Sequence, residues 1–183
     1  MATPRPRTTK ARPVHYSDKT ADLSADETYR YALSRTWDAR LDRVLFVMLN
    51  PSTADAFEDD PTIRRCVGYA RAWGYGTLHV VNLFALRATD PKALYGHPDP
   101  VGGENDRFIL DRAARCAVRV AAWGAHGGHI DRGKTVCRLL FGAGLPLHCL
   151  ARTKDGHPGH PLYLGGSLTP VPYTAQRGEG DDL

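Results

Sequence analysis

The chain has 183 residues, 42% of them hydrophobic and 24% charged, which suits one domain with a substantial core and leaves too little for two. No apolar run approaches the roughly 18 to 20 residues that cross a bilayer, and the basic N-terminus has no apolar region behind it, so the expectation is a cytoplasmic protein with no membrane partner. The net charge of +4 is accounted for by Arg5, Arg7, Lys10 and Arg12; the remainder is formally neutral and does not by itself imply general affinity for nucleic acid.

In chain order, residues 1–13 predict a basic disordered arm, 14–173 a single domain, and 174–183, TAQRGEGDDL, a polar tail. VHYS (14–17) and TYRYALSRTW (28–37) can pair as an antiparallel hairpin. From residue 43 a regular rhythm sets in. The runs VLFVML (44–49), LHVVNLF (78–84), AVRVAAW (117–123) and PLHCLA (146–151) have the continuous hydrophobicity of strands buried on both faces. After the first of them, Asp60 as N-cap and Pro61 at the first helical position start a helix that turns Ile63, Val67 and Ala70 inward and stops at Gly74. GENDRFILDRAARC (103–116) predicts a second helix, with Phe108 or Ile109, Ala113 and Cys116 on its apolar side. DRGKTVCRLLFGAG (131–144) predicts a third, stopped by Gly142 and Gly144. Strand and helix alternate three times, which predicts an α/β fold: a three-layer α/β/α sandwich around a mostly parallel four-stranded sheet, with the N-terminal hairpin added.

In such sheets ligands bind beyond the carboxyl ends of the strands. The polar residues there are Asn50, Asn82, the loop at Gly124 and the segment HPGHPLYL (157–164). Asn50-Pro51 closes the first strand, and a simple turn accounts for it as well as a site does, because both residues favour turns. Ser52 and Thr53 add hydroxyls; Asp55, Glu58, Asp59 and Asp60 add acids that also suit the start of the next helix. Asn82 interrupts VVNLF, where an apolar residue would be less costly. A buried amide without partners costs on the order of 1–3 kcal/mol, so Asn82 must bond backbone, water or ligand. It offers a donor and an acceptor, the pair needed to read the edge of a base. Two His-Pro pairs stiffen the 157–164 loop and can hold an imidazole near a leaving group; local chemistry leaves His157 and His160 both open.

Cys66, Cys116, Cys137 and Cys149 form no C-x-x-C pair, and their spacings suit neither a zinc finger nor an iron–sulfur site, so they are expected to be reduced and structural. No H-E-x-x-H is present either, and no metal or cofactor is expected. GHIDRGKT (128–135) formally matches the phosphate loop G-x-x-x-x-G-K-[ST]. Its intervening residues are bulky, its first glycine comes several residues after the strand, and no later strand ends in an acid for magnesium, which makes a nucleotide-hydrolysing reading the weakest on offer.

Taken together, LNPSTAD, DDPTIRRC, WGYG, VVNLFALRATDP, PVGGEND, AAWG and HPGHPLYL resemble a bacterial family known as a domain of unknown function. The likeness spans roughly residues 20 to 165 and brings no activity with it. More remotely, MLNPS, VVNLF and a late His-Pro, each at a strand end, resemble the uracil-DNA glycosylase superfamily. There a first strand ends in a water-activating Asp or Asn followed by Pro, a second ends in an Asn that binds the flipped base, and a last His-Pro-Ser motif stabilises the departing base. Asn50-Pro51, Asn82 and His160-Pro161 stand in those places, although Leu49 and Ser52 depart from the flanking pattern and Leu162-Tyr163 follows where the serine would be.

The resemblance implies a DNA glycosylase-like hydrolase acting on an altered base flipped into a pocket, with DNA as partner. Asn50 would position water and His160 would stabilise the leaving base. Asn82 would select the base, and Phe57 or Phe84 would stack on it. Ser52, Arg64, Arg65, Arg87 and Arg152 would meet the nucleic acid, with Leu162, Tyr163 or Leu164 filling the hole left in the duplex. Two other classes stay open: a hydrolase of a free nucleoside or nucleotide, which the neutral body suits better, and a non-catalytic nucleic-acid-binding relative.

Overall fold

The structure is a computed structural model that describes residues 14–52 and 58–174; the basic arm, nearly all of the polar tail and Phe57 lie outside the described residues. Strands β1 (Asp18–Leu23) and β2 (Arg30–Thr36) form an antiparallel hairpin. β3 (Arg43–Met48), helix α1 (Pro61–Ala72) and β4 (Thr77–Asn82) follow, then the short α2 (Ala93–Gly96), α3 (Asn105–Ala114) and β5 (Val118–Ala121). A 3-10 segment, Ala125–Asp131, leads into α4 (Arg132–Gly142), and β6 (Leu147–Cys149), a second 3-10 turn (Pro161–Tyr163) and β7 (Val171–Tyr173) complete the described chain. Among the described residues no helix is long and apolar enough to cross a membrane.

The strands form one sheet in the order β1-β2-β4-β3-β5-β6-β7: the four predicted inner strands, the N-terminal hairpin joined to them through β2, and a further strand, β7. Pairing is parallel between β3 and β4, β3 and β5, and β5 and β6, and antiparallel elsewhere. β1 and β7 form the two edges. β1 reads DKTADL and its residues are exposed or only half-buried, so it lacks the apolar rhythm of an inner strand; β7 is three residues long and contains Pro172, which only an edge tolerates. The hairpin exists, but residues 18–23 rather than 14–17 pair with β2. Tyr16 instead donates its hydroxyl proton to Asp59 Oδ2 at 2.6 Å.

Alternation along β3 explains the layers. Val44, Phe46 and Met48 face one core, closed by Ile63, Cys66, Val67 and Tyr69 of α1. Leu45 and Val47 face the other, closed by Ile109 and Ala113 of α3 and by Val136, Cys137 and Leu140 of α4. A sheet with helices on both faces needs residues of period two in its strands and an apolar stripe on each helix, and both are present. Of the alternatives on α3, Ile109 enters the core, while Phe108 stacks on Tyr31 at 5.0 Å nearer the surface. Asp60 caps α1 as predicted, its carboxylate accepting from the Ile63 N–H at 2.8 Å.

Two features of this topology place the site. Register pairs Met48 with Asn82, so the ends of β3 and β4 are level. After β4 the chain crosses over β3 to reach β5, and such a reversal opens a crevice beyond the carboxyl ends of the strands.

Candidate active site at the carboxyl ends of the strands

A cavity of about 570 Å³ occupies this crevice, within the range of small-molecule sites. Asn50, Asn82 and His160, 110 residues apart at their extremes, all line it, as do Ser52, Arg152, Tyr163 and Leu164. His157 lines a separate cavity of about 110 Å³, so of the two open histidines it is His160 that joins the amides.

Each of the three has a definite chemical posture. Asn50 Nδ2 donates to the carbonyls of Pro51 (3.1 Å) and Ala88 (2.7 Å). Two carbonyl acceptors admit only the NH₂ end of an amide there, so Oδ1 is left as the acceptor Asn50 can offer. His160 Nδ1 accepts from the Leu162 N–H at 3.3 Å; the neutral ring therefore carries its proton on Nε2 and is a donor there. Burial pushes this imidazole below its ordinary pKa and the Asp60 carboxylate works against that shift, which leaves the ring neutral at pH 7. Asn82 is 1% exposed, and its Nδ2 has no hydrogen-bond partner among the described residues. On the cavity wall this donor can be met by an acceptor that enters the cavity, whether water or ligand.

Other predicted residues fall elsewhere. Phe84 is wholly buried among the core side chains on the α3 and α4 face, with the His129 ring 5.6 Å away, and does not line the cavity. Arg64, Arg65 and Arg87 do not line the cavity. Their guanidinium groups donate to the carbonyls of Asp59, Leu164 and Glu27, so they hold loops together. Leu162 is 40% exposed and also off the wall. Arg152 does line it, with Nη2 donating to Thr174 O at 3.0 Å and the guanidinium 4.6 Å from the Tyr173 ring centroid.

The sequence reading missed several groups. Asn105 is completely buried and its Nδ2 donates to the carbonyls of Asn82 (3.0 Å) and Leu83 (2.9 Å). Arg132 Nε donates to the same Leu83 carbonyl at 2.8 Å. The first residues of α3 and α4 thus clamp the exit of β4 and hold Asn82 in place. Arg30, 2% exposed, and Trp123, 3% exposed, are also on the wall. Gly127 is required beneath that indole: a Cβ there would lie 2.0 Å from Trp123 Cδ1. A polar first residue in an amphipathic helix was the available signal for Asn105; nothing local marked Arg30.

The phosphate-loop match resolves differently. Thr135 Oγ1 donates to the Asp131 carbonyl at 3.2 Å, Lys134 pairs with Asp131 at 3.3 Å, and Arg132 is bonded to Leu83 and Asp106, so the segment's polar groups serve its own turn. All four cysteines are free and buried, and burial raises every thiol, that of Cys116 to about 12, which keeps them protonated and unreactive.

No curated protein and no solved structure matches the chain. Residues 30–162, from the first residue of β2 to the turn that carries His160, match the family described as Protein of unknown function (DUF1643), and with that share of its length covered the chain belongs to this family.

Proposed function

We propose that the chain hydrolyses the N-glycosidic bond of an altered base extruded from DNA and held in the cavity. The observation that carries this reading is the convergence of Asn50, Asn82 and His160 on one wall-lined space, three groups whose order along the chain is similar to that of the uracil-DNA glycosylase superfamily. Cleavage passes through a sugar with oxocarbenium character while negative charge collects on the base. Asn50 Oδ1 accepts a hydrogen bond from water and orients it. The Nε2–H of His160 donates to the base oxygen that gains the charge, a contribution of about 3 kcal/mol for a preorganised donor. Asn82 Nδ2 donates to an acceptor on the base edge, which offsets its present lack of a partner. Trp123, 3% exposed, is the ring that the wall offers to the base, while Tyr163, 83% exposed, is left for a neighbouring base of the strand.

A second reading, hydrolysis of a free nucleoside or nucleotide at the same centre, is favoured by the engagement of Arg64, Arg65 and Arg87 with backbone carbonyls, since a duplex-binding rim presents its cations outward. Incubation with oligonucleotides bearing a panel of altered bases, followed by alkaline cleavage of abasic sites, and in parallel with free nucleosides, tests both. Asn50→Ala and His160→Ala are each expected to slow base release by a hundredfold or more while the protein stays folded, Asn50→Ala with a lowered melting temperature because the Pro51 and Ala88 carbonyls lose their donor. Wild-type rates in both variants would remove the site.

A further inference from the structure

Water that attacks carbon must lose a proton, and neither group assigned so far can take it. The amide of Asn50 orients without accepting a proton. The His160 ring already has its Nδ1 occupied by the Leu162 N–H and its Nε2 proton is committed to the leaving base.

Among the described residues that line the cavity, a single one carries a carboxylate, Asp60. Its role as the cap of α1 uses one oxygen, Oδ1, at 2.8 Å from the Ile63 nitrogen, and a carboxylate has two. The residue is also held from both sides. Asp59 next to it accepts from Arg35 Nε and from the Tyr16 hydroxyl, each at 2.6 Å, with Arg35 fully buried, and Pro61 fixes the backbone on the other side. A group that moves protons needs this kind of fixed mounting.

We infer that Asp60 is the general base of the proposed reaction. This rests on the N-glycosidase reading and adds a residue to it. The water oxygen bonds to the anomeric carbon as the carbon–nitrogen bond breaks, the bonding pair leaves with the base under the His160 Nε2–H, and the proton lost by the water passes to the Asp60 carboxylate. That the charge of Asp60 acts on His160 agrees with the two groups facing one and the same cavity. The other charged or titratable groups on the wall are Arg30 from β2, His126 from the turn after β5, and Arg152 and Tyr163 from the segments after β6; Cys66, within α1, also feels the Asp60 charge.

Asp60→Asn separates capping from basicity, because Asn caps a helix as well as Asp does. It is expected to keep the wild-type melting temperature and a KM within threefold, and to lower kcat a hundredfold or more. Asp60→Ala should be equally slow and less stable. An Asp60→Asn enzyme within threefold of wild type, or a loss seen only in Asp60→Ala, overturns the assignment and leaves a structural cap. A wild type that releases nothing from any altered-base oligonucleotide or nucleoside overturns the N-glycosidase reading, and the base with it. Without substrate, the His160 ring proton followed by NMR should titrate at lower pH in Asp60→Asn; an unchanged midpoint overturns the facing arrangement.

Discussion

Two histidines in this molecule are held neutral by burial, and only one of them lines the large cavity. His79, midway along β4, has its pKa pushed down to about 4, chiefly by burial and further by Arg112, Arg43 and Arg115. Its Nδ1 lies 2.6 Å from Ser34 Oγ on the paired strand β2, and it lines neither cavity. His160 is shifted in the same direction for the same first reason, yet stands on the wall of the large cavity. The amides repeat the contrast: Asn105 Nδ2 donates to two carbonyls, while Asn82 Nδ2 has no partner among the described residues. Burial and a displaced pKa are thus common to framework and site. Unmatched atoms are common to both as well, since Asn105 Oδ1 and Arg112 Nε also have no partner among the described residues; what separates the two regions is a place on the wall of the large cavity, which Asn82 and His160 have and Asn105 and His79 do not.

The largest effect expected on this contrast belongs to the framework histidine. Because His79 titrates lower in the fold than in the unfolded chain, its contribution to stability is complete above about pH 6.5 and is lost as pH falls toward 4, below which the loss no longer grows. The full loss is about 3 kcal/mol, since protonating the buried ring becomes harder by roughly 1.4 kcal/mol for every tenfold change in its proton affinity. Denaturant unfolding between pH 7.5 and 4 should show this slope in the wild type and its absence in His79→Leu, with base release at pH 7.5 unaltered. A His79→Leu protein that folds normally but releases no base would break the comparison by moving His79 into the site.

How much of this was legible in the sequence follows from the same distinction. Inner strands announce themselves because both faces are buried: 44–49, 78–84, 117–123 and 146–151 became β3 to β6, and Asp60-Pro61 marked the start of α1 to the residue. Edge strands carry no such pattern, so DKTADL and VPY were invisible. Asn50, Asn82 and His160 were legible as polar residues at strand ends, and register brings the first two level. Phe84 was misplaced because a single aromatic after a strand does not reveal which way the chain turns. Arg30 had no local mark and Asn105 only its polarity at the start of a helix, since their roles depend on contacts with β4 and its exit, 22 to 55 residues away in sequence.

The two amides should respond with opposite signs. Asn82→Leu removes an unmatched buried donor and is expected to leave stability unchanged or raise it by about 1–2 kcal/mol, while abolishing recognition of the base. Asn105→Leu deprives the Asn82 carbonyl of its side-chain donor, leaves the Leu83 carbonyl with Arg132 alone, and should cost about 1–3 kcal/mol. Urea unfolding of both variants, alongside base release, checks the pair. Equal destabilisation would make Asn82 a second framework amide and leave the cavity without its selecting group.

The smallest effect on the fold is expected from Tyr163, and it decides between the two substrates. The side chain is 83% exposed, so Tyr163→Ala should shift stability by less than about 0.5 kcal/mol. The tautomer of His160 survives the change, because the Leu162 backbone N–H sets it, although the Tyr163 ring lies 5.4 Å from the imidazole. If the base arrives on a DNA strand, an exposed ring at the mouth is positioned to stack against a base, and its loss should weaken oligonucleotide binding about tenfold, consistent with the roughly 1–3 kcal/mol of a base–aromatic contact. If the substrate is a free nucleoside, the cavity behind Tyr163 supplies the contacts, and fluorescence titration should find nucleoside affinity unchanged. A variant that loses oligonucleotide affinity but keeps nucleoside turnover would therefore place the strand outside the cavity and the reacting bond within it.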